Sequence, residues 1–141
     1  MLDQTAFLYV CGGIIITEWH ILTAAHCVCD IELGPIKIVT KQVNVTVGEH
    51  NPADGKDEGG QKIEVAQRIC HNFTLITLDN DIAILRLKEK IQHGNNVDLI
   101  DWRDSPSAKY EGKEATAIGW GDRENNTVNP PHFTVSILFK V

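Results

Sequence analysis

His26 and Cys27 close the run Ile21-Leu22-Thr23-Ala24-Ala25-His26-Cys27, the end of a strand-like stretch that starts at Cys11. An imidazole titrates nearest to physiological pH, so a held histidine can take up a proton and return it. A cysteine beside it, once in a disulfide, would clamp the backbone that carries the ring. Further along, Asp79-Asn80-Asp81 leads into the apolar run Ile82-Ala83-Ile84-Leu85. A carboxylate at the mouth of such a run is well placed for burial, and a buried carboxylate can hold a histidine in one tautomer. Asp79 reads as the solvated acid of the two. Taken without His26, Asp81 would read only as the start of a turn capped by Asn80. His20, His50, His71, His93 and His132 lie in polar or turn contexts and read as structural or exposed.

The elements that must hold these groups are strands. Phe7 to Thr23 is apolar and β-branched, with Gly12-Gly13 as the expected bend or bulge. Three consecutive isoleucines, 14 to 16, predict a strand covered on both faces rather than an edge. Thr23 to His26 then reads as one helical turn capped by Thr23. Ile36 to Val47 is β-rich, and Val43, Val45 and Val47 alternate with Asn44 and Thr46 as in a half-buried strand. Gly48 to Gly60 is a polar, glycine-rich loop. Gln61 to Ile69 resumes the strand pattern with Ile63 and Val65 on one face. Lys88 to Gly112 reads as a polar connecting segment, Lys113 to Gly119 as a strand, and Phe133 to Val141 as another. Short strands with turn residues between them, and no long helix or repeat, predict an all-β barrel or sandwich.

Length and composition narrow the classes. The 141 residues suit one domain, and a hydrophobic fraction of 43% is ordinary for a packed core rather than disorder. A net charge of -6 argues against nucleic acid as partner. No apolar run approaches the length of a membrane span. Met1-Leu2-Asp3-Gln4-Thr5 does not open a signal peptide. Yet the four cysteines, at 11, 27, 29 and 70, lack the paired C-x-x-C knuckles of a zinc site and fit two disulfides formed in an oxidising compartment. Sequons begin at Asn44, Asn72 and Asn125. Together these features predict a secreted glycoprotein whose leader is not in this sequence.

In order, CGGIIITEWHILTAAHC, GEHN, DNDIAILRL and GWG resemble the chymotrypsin-like (trypsin-like) serine peptidase family, at familiar separations along essentially the whole chain. The resemblance implies an antiparallel Greek-key β-barrel fold and peptide-bond hydrolysis through an acyl-enzyme. It matches His26 to the general base and Asp81 to the buried acid. A serine hydroxyl is a poor nucleophile until an imidazole accepts its proton, which gives both residues a chemical purpose. The resemblance also pairs Cys11 with Cys27, a closure contributing about 3 kcal/mol in the chain-entropy model. Cys29 and Cys70 have no place in the basic pattern. Both fall in loops that flank the histidine in the family fold, so they are expected to pair with each other. Glu49 to Glu58 resembles the family's calcium loop, and Glu49, Asp57 or Glu58 offers oxygens suited to a hard cation. An acidic loop is also an ordinary solvated face, so no cofactor is expected and calcium stays the open alternative.

One part of the family pattern has no match here. The nucleophile belongs to a G-D-S-G-G stretch that also supplies the oxyanion-hole amides. Ser105, Ser107 and Ser136 have no glycine neighbours, and in the His, Asp, Ser order the serine would fall beyond Val141. An Ile-Val-Gly-Gly-like start is missing as well. The expectation is therefore the N-terminal half of the family domain: a near-complete first barrel over about 1–92, a connecting segment over 93–112, and the first strands of a second barrel over 113–141. Two readings follow. One is a fragment of a secreted serine endopeptidase acting on protein or peptide substrates. The other is a non-catalytic homologue serving as a binding module. Intact His26 and Asp81 favour the first, as does the apolar ending Ile137, Leu138, Phe139 and Val141, which would be an aggregation-prone edge if left uncovered.

Overall fold

The computed structural model describes residues 11–33, 35–38, 43–49, 60–94, 96–101, 115–119 and 133–137. The elements run β1 (Ile14–Thr17), β2 (His20–Thr23), α1 (Ala25–Val28), β3 (Ile31–Leu33), β4 (Ile36–Ile38), β5 (Asn44–Val47), β6 (Gln61–Cys70), β7 (Ala83–Leu87), β8 (Ala115–Gly119) and β9 (Phe133–Ile137). Five strands form an antiparallel sheet in the order β1-β2-β7-β6-β5, curled as half of a barrel. β3 pairs with β4 and β8 with β9, each as a two-stranded antiparallel sheet. The β3–β4 hairpin carries no reading in the sequence beyond the start of the long run at Ile36. Residues 39–42, within that run, lie outside the described residues, as do 138–141.

Strand alternation sorts side chains into two layers. On the inner face, register places Ile15 opposite Ile21, Ile21 opposite Leu85, Thr23 opposite Ala83, and Val65 opposite Leu87. Ile21, Ile63, Ala83, Leu85 and Leu87 are buried, and Val47 joins them from β5. Val43 and Val45 pack against this core, as their alternation predicts. Fully burying one such side chain contributes about 1.5–3 kcal/mol, which is what holds so few residues in place. On the outer face the same registers align Ile14, Leu22, Ile84 and Ile69 into an apolar row. Ile14 is 46% exposed and Ile69 43%.

Three expectations change here. The isoleucine run is not covered on both faces: β1 is an end strand of the sheet among the described residues, and Ile14 stands on its outer side. The irregularity falls at Ile16, between Ile15 and Thr17, rather than at the glycine pair. Gly13 has another purpose: a Cβ there would stand 2.6 Å from the Ile21 side chain, so only glycine lets the backbone cross that core residue. Third, the connecting segment contributes to the core. Ile91 is 1% exposed and Val97 is also buried. Backbone N–H groups of Ile91 and Ile100 donate to Glu18 and Ile15, lacing the segment to the first hairpin. Lys90 and His93 both reach Glu18, and the Lys90 ammonium at 2.9 Å is the main cause that holds the Glu18 carboxyl below the usual range.

A second bulge sits in β6, where Val65 pairs with Leu87 but Gln67 pairs with Arg86. One extra residue, Ala66, reverses the alternation of the strand beyond it. Before the bulge Ile63 and Val65 face the core. After it, Arg68 and Cys70 do, opposite Leu85 and Ala83.

Candidate active site

α1 is a single helical turn, too short to persist on its own in water. Its N-cap is Ala24, which has no side chain able to accept from the first N–H groups. Thr23 does not cap it: the hydroxyl of this last β2 residue donates instead to the Gly12 carbonyl at 2.8 Å. The acceptor comes from far along the chain. Asp81 Oδ1 takes the backbone N–H of His26 at 2.8 Å, and Asp81 Oδ2 lies 2.7 Å from His26 Nδ1. One carboxylate therefore satisfies the helix terminus and grips the ring.

The turn that aims Asp81 is built from residues tolerant of left-handed backbone, with one exception. Asn72 and Asn80 have φ of 45° and 55°, as asparagine readily accepts. Leu78 has φ of 56°, a conformation that costs a non-glycine residue about 1–3 kcal/mol. Three hydrogen bonds hold the turn: Asn80 Nδ2 to the Asn72 carbonyl at 3.1 Å, Thr74 N–H to the Asp79 carbonyl at 3.1 Å, and Thr77 Oγ1 to Asp79 Oδ2 at 2.7 Å. Asp79 is exposed, as read from the sequence. Asp81 is only half-buried, with its side chain 25% accessible and that of His26 49%. Ile76, Leu78 and Ile82, close to Asp81 in sequence, are exposed.

The electrostatics follow from these contacts. The His26 backbone N–H, and after it the ring, hold the Asp81 carboxyl below the usual carboxylate range. An ionised carboxylate can only accept, so the imidazole facing it must carry its proton on Nδ1. Nε2 is then left with the lone pair, the form that takes a proton from a hydroxyl.

Both cysteine pairs join as disulfides, Cys11 to Cys27 and Cys29 to Cys70. The first ties the middle of α1 to the residues before β1. The second ties its C-cap residue to the end of β6. Cys11, His26 and Cys27 bring potential ligand atoms within 4.8 Å of one another. Their sulfurs are consumed in the bond, so the set offers a cation the imidazole alone. Of the acids in the Glu49 to Glu58 loop, Asp57 and Glu58 lie outside the described residues, while Glu49 is half-buried. Asn44 and Asn72 are exposed; Asn125, Ser105, Ser107, His50 and His132 lie outside the described residues. No described helix is long and apolar enough to cross a membrane. Arg68, which touches the far end of α1, carried no signal in the sequence, because the bulge that turns it inward is not legible there.

Comparisons with known proteins accord with this geometry. The chain is 35% identical over 128 residues to mast cell protease 8 of Mus musculus, a match covering 90% of this chain and 47% of that protein. It is 33% identical over 132 residues to ovochymase of Halocynthia roretzi, covering 89% of this chain and 8% of that much longer protein. It is also 34% identical over 125 residues to inactive serine protease PAMR1 of Bos taurus, covering 84% of this chain and 17% of the relative. The solved structure of GrC (granzyme C) superposes with a TM-score of 0.70 at 27% identity, over 88% of this chain and 50% of that one. The chain thus spans about half the length, or less, of these relatives. The model of the Trypsin family matches residues 2–138, nearly from end to end, and the chain belongs to that family of chymotrypsin-like serine proteases.

Proposed function

We propose that this chain is the base-and-acid half of a secreted serine endopeptidase whose nucleophile and oxyanion hole come from sequence outside these residues. The observation that carries the reading is the double grip of Asp81 on the backbone N–H and the ring of His26. Nε2 of His26 takes the proton of the incoming serine hydroxyl as its oxygen attacks the peptide carbonyl. Asp81 steadies the imidazolium so formed. The same proton passes to the leaving amine, the acyl-enzyme remains, and a water activated by the ring then releases the acid. The two disulfides and the exposed sequons at Asn44 and Asn72 support passage through the secretory route, with Asn125 as a third acceptor. Calcium at the Glu49 to Glu58 loop would act on loop stability alone, and isothermal titration checks it.

A second reading, a non-catalytic homologue that binds partners, is favoured by the likeness to inactive serine protease PAMR1. Labelling with a fluorophosphonate separates the two. The 141-residue chain is expected to stay unlabelled, because Ser105, Ser107 and Ser136 lack glycine neighbours. A native-length product with G-D-S-G-G beyond Val141 is expected to label, and His26→Ala to abolish the labelling. Stoichiometric labelling of the 141-residue chain, or a native-length product without such a stretch, overturns the peptidase reading.

A further inference from the structure

The two ends of α1 are held by different parts of the chain, and the second holder has no role in the mechanism above. At the C-terminal end, the carbonyl of Val28 has no helical partner ahead of it, as at any helix terminus. Arg68 Nη1 donates to that carbonyl at 2.8 Å and to Asp30 Oδ1 at 3.2 Å. A guanidinium placed there also complements the negative end of the helical turn. Two residues further along β6, on the same inward face, Cys70 bonds Cys29, the C-cap of the helix. Both contacts exist because Ala66 is bulged out; without that extra residue Arg68 and Cys70 would face the outer side of the sheet.

We infer that Arg68 is a positioning residue for His26: with the Cys29–Cys70 bond it forms a latch that sets the height of α1 against Asp81. The inference rests on the base-and-acid reading of that pair. The ring hangs on a four-residue helix whose N-terminal end is held by Asp81 itself. Asp81 can set the ring's direction and the Cys11–Cys27 bond ties the middle of the turn, but neither holds its C-terminal end. Arg68 acts at the opposite end, one turn away. Asp30, at 3.2 Å and itself half-exposed, orients the guanidinium so that a nitrogen stays aimed at Val28. Val28 and Ala25, buried in the core, complete the seat from below.

The test uses nuclear magnetic resonance on the full 141-residue chain. Two signals are read: the low-field proton on His26 Nδ1, and the carboxyl titration of Asp81. Arg68→Met is expected to broaden or remove the first and to raise the second toward the ordinary aspartate midpoint. Ile63→Val, a core change at the other end of β6, serves as the comparison for lost stability alone and is expected to leave both signals in place. The proposal is overturned if Arg68→Met leaves both signals unchanged, or if Ile63→Val moves them as far. Should Arg68→Met fail to fold, Arg68→Lys decides. An intermediate Asp81 midpoint supports the latch, since a freely rotating ammonium lacks the fixed planar direction of the Nη1 that serves both Val28 and Asp30, and the wild-type midpoint overturns it. If the wild-type chain itself lacks the low-field proton, what fails is the reading of the His26–Asp81 pair, a separate result.

Discussion

The N-terminal end of α1 meets a carboxylate, and the C-terminal end meets a guanidinium and a disulfide. Each end is matched to the sign of the backbone groups it exposes, N–H at one and C=O at the other. The two differ in what else they do. Asp81 bonds the ring as well as the backbone, so in the proposed mechanism it is the end that bears on the proton. Arg68 and Cys70 bond Val28, Asp30 and Cys29 at the far end, and in the inference above they set where the turn sits. In that inference a short helix with no cap of its own is placed from two remote parts of the chain, the turn before β7 supplying direction and β6 location.

Breaking the N-terminal end should have the largest effect. In a native-length peptidase, Asp81→Asn is expected to lower kcat by about 10⁴-fold, since the wrong tautomer then faces the nucleophile. A peptide-hydrolysis assay reads it, and a loss below tenfold would remove Asp81 from the mechanism. Next comes the covalent part of the other end. The Cys29–Cys70 bond closes a separation of 41 residues, so Cys29→Ala/Cys70→Ala should cost about 4 kcal/mol of stability. The shorter closure of Cys11–Cys27, across 16 residues, should cost about 3 kcal/mol when removed in the same way. Denaturant unfolding of the two double variants tests that order, and a reversed order would mean that native packing, not loop length, governs the pair.

A smaller effect is expected from pH. The folded Asp81 carboxyl lies below its unfolded value, so its stabilising share is complete above the ordinary aspartate range. That share is lost as pH falls through the folded value. Unfolding of the wild type and Asp81→Asn across an acid series should show their stability difference shrinking toward low pH. A constant difference would assign the contribution of Asp81 to neutral hydrogen bonding. Smallest of all is Lys88→Ala, just past the end of β7 and paired across to β6. Its partner Glu64 is half-exposed, as it is itself, and such a surface pair is worth about 0–1 kcal/mol. A larger loss there would blur the contrast between latch and surface.

Much of the scaffold was legible because its signals are local. Alternation at Val43, Val45 and Val47 reads directly as a half-buried strand, and the apolar run after Asp81 reads as β7. The site pair was legible through the residues around it, TAAHC and DNDIAIL, rather than through any periodicity. What escaped were consequences of pairing. The edge position of the isoleucine strand, the bulges at Ile16 and Ala66, and the burial of Ile91 and Val97 within a polar-looking connector each depend on a neighbour distant in sequence. Thr23 was expected to cap α1 because a cap is usually local; here the carboxylate from Asp81 outcompetes it and the hydroxyl turns to Gly12.

The order of residue types along the chain was enough to determine the family and the β-rich class and to single out His26 and Asp81, because such motifs rest on chemistry that only certain side chains perform. Which face each strand presents, and hence that Arg68 and Cys70 look inward at the helix bearing His26, was decided by tertiary pairing alone. A single bulged residue inverts a strand's two faces, and its location is set by the partner strand's register rather than by the strand's own composition.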